Sequence, residues 1–364
     1  MSVRRSAARA ALAAIGLALG LGLCLGLSGC GLSYYTQAVG GHLDLLQRAR
    51  PVEQWVADPD TPAALRERLR LAQRLRAFAV DELKLPDNAS YRRFAELDRS
   101  AVVWNVVATP ELSLTLKTWC FPVMGCVGYR GYFQRAPADA LAAELRSQGL
   151  DVSVYGVPAY STLGWTNWLG GDPLLSTFIR WPESELARLL FHELAHQVVY
   201  VADDTAFNES YATAVERLGL RRWLSEAGAA AQQEAARLDA RRQDFRRITA
   251  QARRDLEALY RSRLAPDALR ERKAERLQQL REDHARLKAG PWQGFTGYDA
   301  WFVQVNNAAL AVQGAYEDQV PAFERLFERE GRDFARFHAE VARLATLPAP
   351  QRRAALQALG ADAP

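Results

Sequence analysis

The chain has 364 residues, 49% of them hydrophobic and 24% charged, enough apolar content to bury a substantial core. Its formal charge of +4 depends on Arg4, Arg5 and Arg9; residues 1–29 hold these three arginines and no acid, and without them the charge falls to +1. A nearly neutral chain gives no electrostatic grounds for binding nucleic acid.

Arg4, Arg5 and Arg9 precede an uncharged run from Ala10 to Leu27, the pattern of a secretory signal. The run ends in Leu27-Ser28-Gly29-Cys30, which resembles a lipoprotein processing box with Cys30 as the acylated new N-terminus. Leu23, before Cys24, is too bulky for that role, and the alternative is an uncleaved single span, for which the run is just long enough. The expectation is a protein of the bacterial cell envelope, held to the membrane by lipid on Cys30 and facing the periplasm. Leu32 stands where an aspartate would favour the inner membrane, so the outer membrane is preferred. Besides Cys30, the processed chain keeps Cys120 and Cys126; two such close thiols in an oxidising compartment read as one disulfide closing a short loop.

Residues 34–95 are expected to be mostly helical, with Leu65, Leu69, Leu71, Leu75, Phe78 and Val80 as a buried stripe and Pro86-Asp87-Asn88 as a break. From Ala101 to Phe133 the pattern changes to strands. Val102 to Val107 and Leu112 to Leu116 flank Pro110, short segments punctuated by Gly125, Gly128 and Gly131 follow, and Val152 to Tyr155 is a further strand. A mixed sheet is therefore expected ahead of the next helix.

Trp181-Pro182-Glu183 opens that helix, and Leu186, Leu189, Leu190, Val198 and Val199 give it an apolar surface. On it, His192-Glu193-Leu194-Ala195-His196 sets two imidazoles four positions apart, hence on one face, with a carboxylate beside them. That arrangement binds zinc and handles the proton of an attacking water. Asp203-Asp204-Thr205 reads as a turn and cap, and Phe207 to Glu216 as a second helix. Antiparallel packing about residue 203 brings position 210 opposite His196, so Glu209 is expected as the third zinc ligand; two histidines and one glutamate form a common catalytic set. Glu216 shares the face of Glu209 and is its rival. Whichever is not a ligand is expected to hold a histidine in its metal-binding orientation. His42, His284 and His338 lie far apart in helical contexts and read as surface or core residues.

Residues 221–288 are rich in Ala, Arg, Glu and Gln and break once, at Leu264-Ala265-Pro266-Asp267. Leu238, Phe245, Ala252 and Leu259 recur every seven positions, and Leu277, Leu280, His284 and Leu287 alternate by three and four, which predicts an antiparallel helical hairpin. Its mixed charges suit a projecting insertion with a solvated surface, the alternative being a docking site for a protein partner. Beyond Gly290-Pro291-Trp292 come further helices through Trp301, Leu310, Phe323, Leu326 and Phe334. The expected fold is α+β and mostly helical: a zincin-like metallopeptidase core, a mixed sheet before the zinc helix and a long helical-hairpin insertion. Its divisions are 1–29 (signal), 30–220 (N-terminal helices, sheet and zinc-binding helices), 221–290 (hairpin) and 291–364 (helices closing the catalytic domain).

His192 to His196 followed by Asn208-Glu209 and Glu216 resembles the zinc aminopeptidase branch of the gluzincins, where an Asn-Glu on the following helix supplies the third ligand. That branch separates histidine and ligand by about the distance from His196 to Glu216. A wider resemblance takes in Tyr34-Tyr35-Thr36-Gln37-Ala38, Cys120-Phe121-Pro122 with Gly125-Cys126, Tyr129-Arg130-Gly131-Tyr132-Phe133, and Tyr160-Ser161-Thr162-Leu163-Gly164-Trp165. With His192 to Gln197 and Phe207 to Ser210, this series is similar to the putative aminopeptidase family of bacterial lipoproteins.

The resemblance implies a zinc peptidase acting on peptides or proteins, expected to remove N-terminal residues. It implies Glu193 as the general base and a tyrosine beyond the ligand glutamate as the oxyanion stabiliser. Tyr316 is the first candidate and Tyr298 the second. Tyr160 to Trp165 and Asp172 to Thr177 suit a cleft edge that pairs with an extended peptide, but contain no Gly-x-Met-Glu-Asn element of the kind that grips a free N-terminus in gluzincin aminopeptidases. Two further readings use the same residues: an envelope-assembly or interaction lipoprotein with a structural zinc, and a zinc amidase acting on cell-wall peptides. Glu193 favours hydrolysis, because a structural site has no use for an unliganded acid beside the metal.

Overall fold

A computed structural model of the chain describes residues 29–121, 125–159, 162, 167, 170–313 and 319–361. The fold is α+β and mostly helical. It divides into two compact units, residues 1–47 and 48–364. Helix α1, Gly29–Arg48, is the described part of the first unit, and Tyr35, Val39 and Leu43 form an exposed apolar stripe along it. Among the described residues, no helix is long and apolar enough to cross a membrane. The signal run and the side chain of Cys30 lie outside the described residues.

The second unit begins with strand β1 (Arg50–Pro51), helix α2 (Val52–Ala57) and helix α3 (Ala63–Asp81). Leu65, Leu69, Ala72, Leu75 and Ala79 recur every three or four positions on α3 and are buried, whereas Phe78 and Val80 are half-buried at the stripe's margin. Arg76 is buried among them, and its guanidinium donates to the carbonyls of Pro86 (2.6 Å) and Ser90 (3.1 Å). The Pro86-Asp87-Asn88 break thus wraps a buried cation and satisfies it with backbone oxygens.

Three small sheets follow. Strand β2 (Arg93–Ala95) pairs antiparallel with β1 and parallel with β8 (Leu174–Leu175), a small mixed sheet whose first two strands fall in the segment expected to be mostly helical. Strand β3 (Val103–Pro110) is the centre of an antiparallel sheet between β6 (Arg130–Tyr132) and β7 (Leu150–Val157), with helix α4 (Arg135–Ser147) joining the outer strands. Strands β4 (Trp119–Phe121) and β5 (Gly125–Val127) form a hairpin in which Cys120 stands opposite Cys126, and the two form a disulfide. One expectation is corrected: Leu112 to Leu116 is no strand. A side chain distant in sequence engages this stretch instead: Asn307 Nδ2 donates to the carbonyls of Glu111 (2.8 Å) and Ser113 (3.1 Å).

Helix α5 (Glu183–Ala195) and helix α6 (Thr205–Ser225) pack against each other. The Asp204 side chain caps α6 by accepting from Phe207 N (3.1 Å), and Asn208 clamps the connection by bonding both the N–H (2.8 Å) and the carbonyl (2.7 Å) of Val201. The hairpin is helix α7 (Ala229–Tyr260) and helix α8 (Pro266–Ala289). It does not stand off the body. Phe245, Ile248, Leu256, Leu277 and Leu280 share one apolar cluster with Trp292, with Phe302 of α9 (Asp299–Val303) and with Leu310 of α10 (Asn307–Gln313). Lys273 also meets Asp151 at 2.7 Å.

Helices α11 (Val320–Arg329), α12 (Phe334–Ala345) and α13 (Ala349–Ala361) back α6. Phe207 meets Phe323 edge to face with ring centres 5.3 Å apart. His338 is a core histidine: its Nε2 lies 2.8 Å from the Leu83 carbonyl, so it donates there, and its Nδ1 accepts from the Tyr211 hydroxyl at 2.8 Å. Burial holds His338 below the usual imidazole range, which keeps it neutral.

Two outcomes follow. Tyr211→Phe leaves Nδ1 unsatisfied in the core and should lower unfolding stability by about 1–3 kcal/mol in a denaturant titration. Because the unfolded chain protonates His338 first, its share of stability is present above about pH 6.5 and lost as the pH falls below it. His338→Gln should therefore show a shallower acid slope than wild type.

Candidate metal centre

The site is made by α5 and α6, one supplying both imidazoles and the other the carboxylates. His192 lies in the last turn of α5 and His196 is its C-cap, one turn on, and their Nε2 atoms stand 3.2 Å from each other. From the facing helix, Glu209 brings Oε2 to 3.3 Å from His192 Nε2 and Oε1 to 3.6 Å from His196 Nε2. One ligand atom from each of the three residues lies within 4.8 Å of the others, so the group could hold a metal ion.

The separations test the fit. A tetrahedral ion with bonds of about 2.0–2.1 Å has ligand atoms roughly 3.3 Å apart. The two Nε2 atoms are 3.2 Å apart, and the Glu209 carboxylate sets Oε2 at 3.3 Å from one and Oε1 at 3.6 Å from the other, separations close to that spacing. Two imidazole nitrogens and one carboxylate oxygen also suit zinc chemically. His196 is buried, and His192 and Glu209 are half-buried, so the group keeps partial access to solvent.

Glu216 lies two turns beyond Glu209 on α6 and is placed differently. Its Oε2 is 3.3 Å from His192 Nδ1, the far side of the ring from that cluster. The other oxygen, Oε1, accepts from Arg188 Nη1 at 2.8 Å. Glu209 therefore meets the metal-facing nitrogens, while Glu216 backs His192 against a buried arginine.

The charges follow from this packing. Burial acts to lower His192, but the Glu209 and Glu216 carboxylates outweigh it and hold the imidazole well above its usual range. His196 is pushed down to about 4 by burial and by the neighbouring His192. Burial acts to raise Glu216, yet His192 and Arg188 hold it down at about 2; Glu209 is likewise lowered by the two histidines against its own burial. The Glu209 and Glu216 carboxylates thus set a negative field around the His192 imidazole. A divalent cation at the same place answers the same negative field.

Glu193 is half-buried on the same helix and is not one of the three grouped residues. The loop at Asn88 to Tyr91 borders this end of α5: Asn88 Nδ2 donates to Gln197 Oε1 (2.7 Å), and Gln197 Nε2 donates to Ser90 Oγ (3.2 Å). Tyr91 holds a left-handed backbone (φ 64°), and its hydroxyl is pushed up by burial and by the Glu193 and Asp172 carboxylates. On the other side, Gly125 (φ 71°) packs so tightly on Asp203 that a Cβ there would lie 2.1 Å from Oδ1. The Cys120–Cys126 hairpin thus abuts the turn between α5 and α6.

Tyr316 lies outside the described residues. Tyr298 stacks on Phe245 with ring centres 4.5 Å apart, within the hairpin's aromatic cluster. Sequence reading missed Tyr91 and Tyr200. Tyr200 is 43% exposed, and its hydroxyl is raised by burial and by the Glu209 and Asp203 carboxylates. Its position four residues past His196 was the available signal.

The sequence profile of the putative aminopeptidase family matches residues 33–356. The chain belongs to that family. No curated protein and no solved structure matches it. The putative aminopeptidase match spans the sheets, both site helices and the hairpin, and its name carries an expectation of peptidase activity.

The geometry separates the two glutamates experimentally. Glu209→Ala should abolish stable zinc retention on dialysis, whereas Glu216→Ala should retain zinc with affinity weakened about 10–100-fold. Full occupancy in Glu209→Ala with loss in Glu216→Ala would reverse the assignment.

Proposed function

We propose that the chain is a zinc-dependent metallopeptidase with a zincin-like core, acting as an aminopeptidase and anchored in the cell envelope by lipid on Cys30. His192, His196 and Glu209 would hold the ion, and Glu193 would be the general base. The observation that carries this reading is the cluster of two Nε2 atoms and one carboxylate, with Glu193 beside His192 on the same helix. Family membership supports the peptidase part.

When bound, zinc supplies Lewis acidity to the scissile carbonyl and lowers the pKa of a water beside it. The chain's residues do the rest. Glu193 takes the proton of the attacking water and passes it to the leaving amine, which needs a carboxylate that is not itself tied to the ion. Glu216 keeps His192 turned with Nε2 toward the cluster by engaging Nδ1. Tyr316 is the proposed hydroxyl for the developing oxyanion, and the half-exposed Tyr200 is its described alternative. The substrate peptide would enter where the group meets solvent.

The test is mass-spectrometric. Protein lacking residues 1–30 is incubated with peptides carrying free or acetylated N-termini, and Glu193→Ala is the control. Single residues should leave only the free N-termini, and Glu193→Ala should lower the rate by about 10²–10⁴-fold. Internal cuts in both sets would overturn the aminopeptidase assignment, and the absence of any Glu193-dependent product would overturn the peptidase assignment.

A further inference from the structure

We propose that Asp239, on the hairpin, is a positioning residue of the metal centre that acts through Arg188 and Glu216 on His192. The inference rests on the metal reading above and gives the hairpin a part in it.

Four side chains from three helices form a continuous line. His192 Nδ1 lies 3.3 Å from Glu216 Oε2, Glu216 Oε1 accepts from Arg188 Nη1 at 2.8 Å, and Arg188 Nη2 donates to Asp239 Oδ1 at 3.0 Å. Arg188 is one turn before His192 on α5, so both face α6. Its guanidinium is planar, with its donors in a fixed fork. Each of its two terminal nitrogens engages a different carboxylate, so rotating to improve one bond degrades the other. Arg188 is only 8% exposed, which leaves little water to replace a lost partner.

Asp239 is itself held from the other side. Arg242 Nη1 is 3.6 Å from the same Oδ1, and Arg242 also pairs with Glu185 of α5. The order acid, arginine, acid, imidazole alternates in sign. Removing the charge of Asp239 leaves Arg188 drawn more fully onto Glu216, which weakens the contact of Glu216 with His192 Nδ1. A less basic, less firmly oriented imidazole binds metal more weakly. Glu216 is held by two residues of α5, and the carboxylate on the far side of the arginine comes from the hairpin.

The experiment titrates zinc and cobalt into the purified full-length chain after metal removal, reading affinity and the visible cobalt spectrum. Asp239→Asn should weaken zinc binding about tenfold, the low end of the range for groups behind a ligand, and alter the cobalt bands. Asp239→Glu, which keeps the charge, should recover affinity to within about threefold of wild type. Asp255→Asn is the structural control, because it breaks a similar hairpin ion pair with Arg276 (2.7 Å), about 24 Å farther along α7. It should leave both readings unchanged.

Unchanged affinity and spectrum in Asp239→Asn would overturn the proposal. So would an equal loss in Asp255→Asn, which would mark general loosening of the hairpin. Failure of Asp239→Glu to recover affinity would overturn it even if the asparagine variant folds poorly. A wild-type chain that takes up neither metal would instead overturn the reading of the centre itself.

Discussion

The structure depends on one contact across two helices: the carboxylate of Glu209 reaching the Nε2 atoms of both His192 and His196. Helical geometry aligns the histidines, but only the packing of α6 on α5 brings an oxygen between them. That packing is fixed at several points. The Asp204 cap and the Asn208 clamp set the start of α6, Arg352 grips Asp204 at 2.9 Å from α13, and Tyr211 is bonded to His338 at the opposite face. Each tie spares a buried polar group from being left without a partner, so the same bonds that stabilise the fold also set the register of the site.

The charged groups behind the site obey the same constraint. Arg188 and Glu216 are largely withdrawn from water, and isolated charges there would cost several kcal/mol each. They persist because their partners alternate in sign from His192 outward to Asp239. Such a line adds little net stability over an apolar core of equal volume. Its value lies in orientation, since a ring hydrogen-bonded at Nδ1 presents Nε2 in one direction. The hairpin contributes to this line and shares its apolar cluster with α9 and α10, so it belongs to the body that carries the site as much as the sheets do.

Much of this was legible in the sequence because the signals are local. The spacing of His192 and His196, the Asp204 cap, the hairpin break near Pro266 and the pairing of Cys120 with Cys126 all follow from short-range rules of period, capping and loop closure. Glu209 was reachable by adding one assumption, antiparallel packing about residue 203. The structure departs from the sequence reading where distant partners decide. Asn307 donates to the carbonyls of Glu111 and Ser113 and so engages the Leu112 to Leu116 segment outside the sheet, and the strands expected from Ala101 onward pair as an antiparallel sheet rather than a mixed one. Asp239 and Tyr91 have no local signature, because their roles come from contacts 51 positions away in one case and from a buried loop beside α5 in the other. The mixed charges of α7 read as a solvated surface in sequence, yet several of them face inward onto α5.

X-ray absorption spectroscopy of the zinc-loaded chain tests most directly whether one zinc ion sits among His192, His196 and Glu209. The spectrum should show one ion per chain with only nitrogen and oxygen neighbours at about 2.0–2.2 Å and an imidazole scattering pattern that Glu209→Ala alters. A sulfur neighbour at about 2.3 Å, or a spectrum unaffected by Glu209→Ala, would contradict that placement.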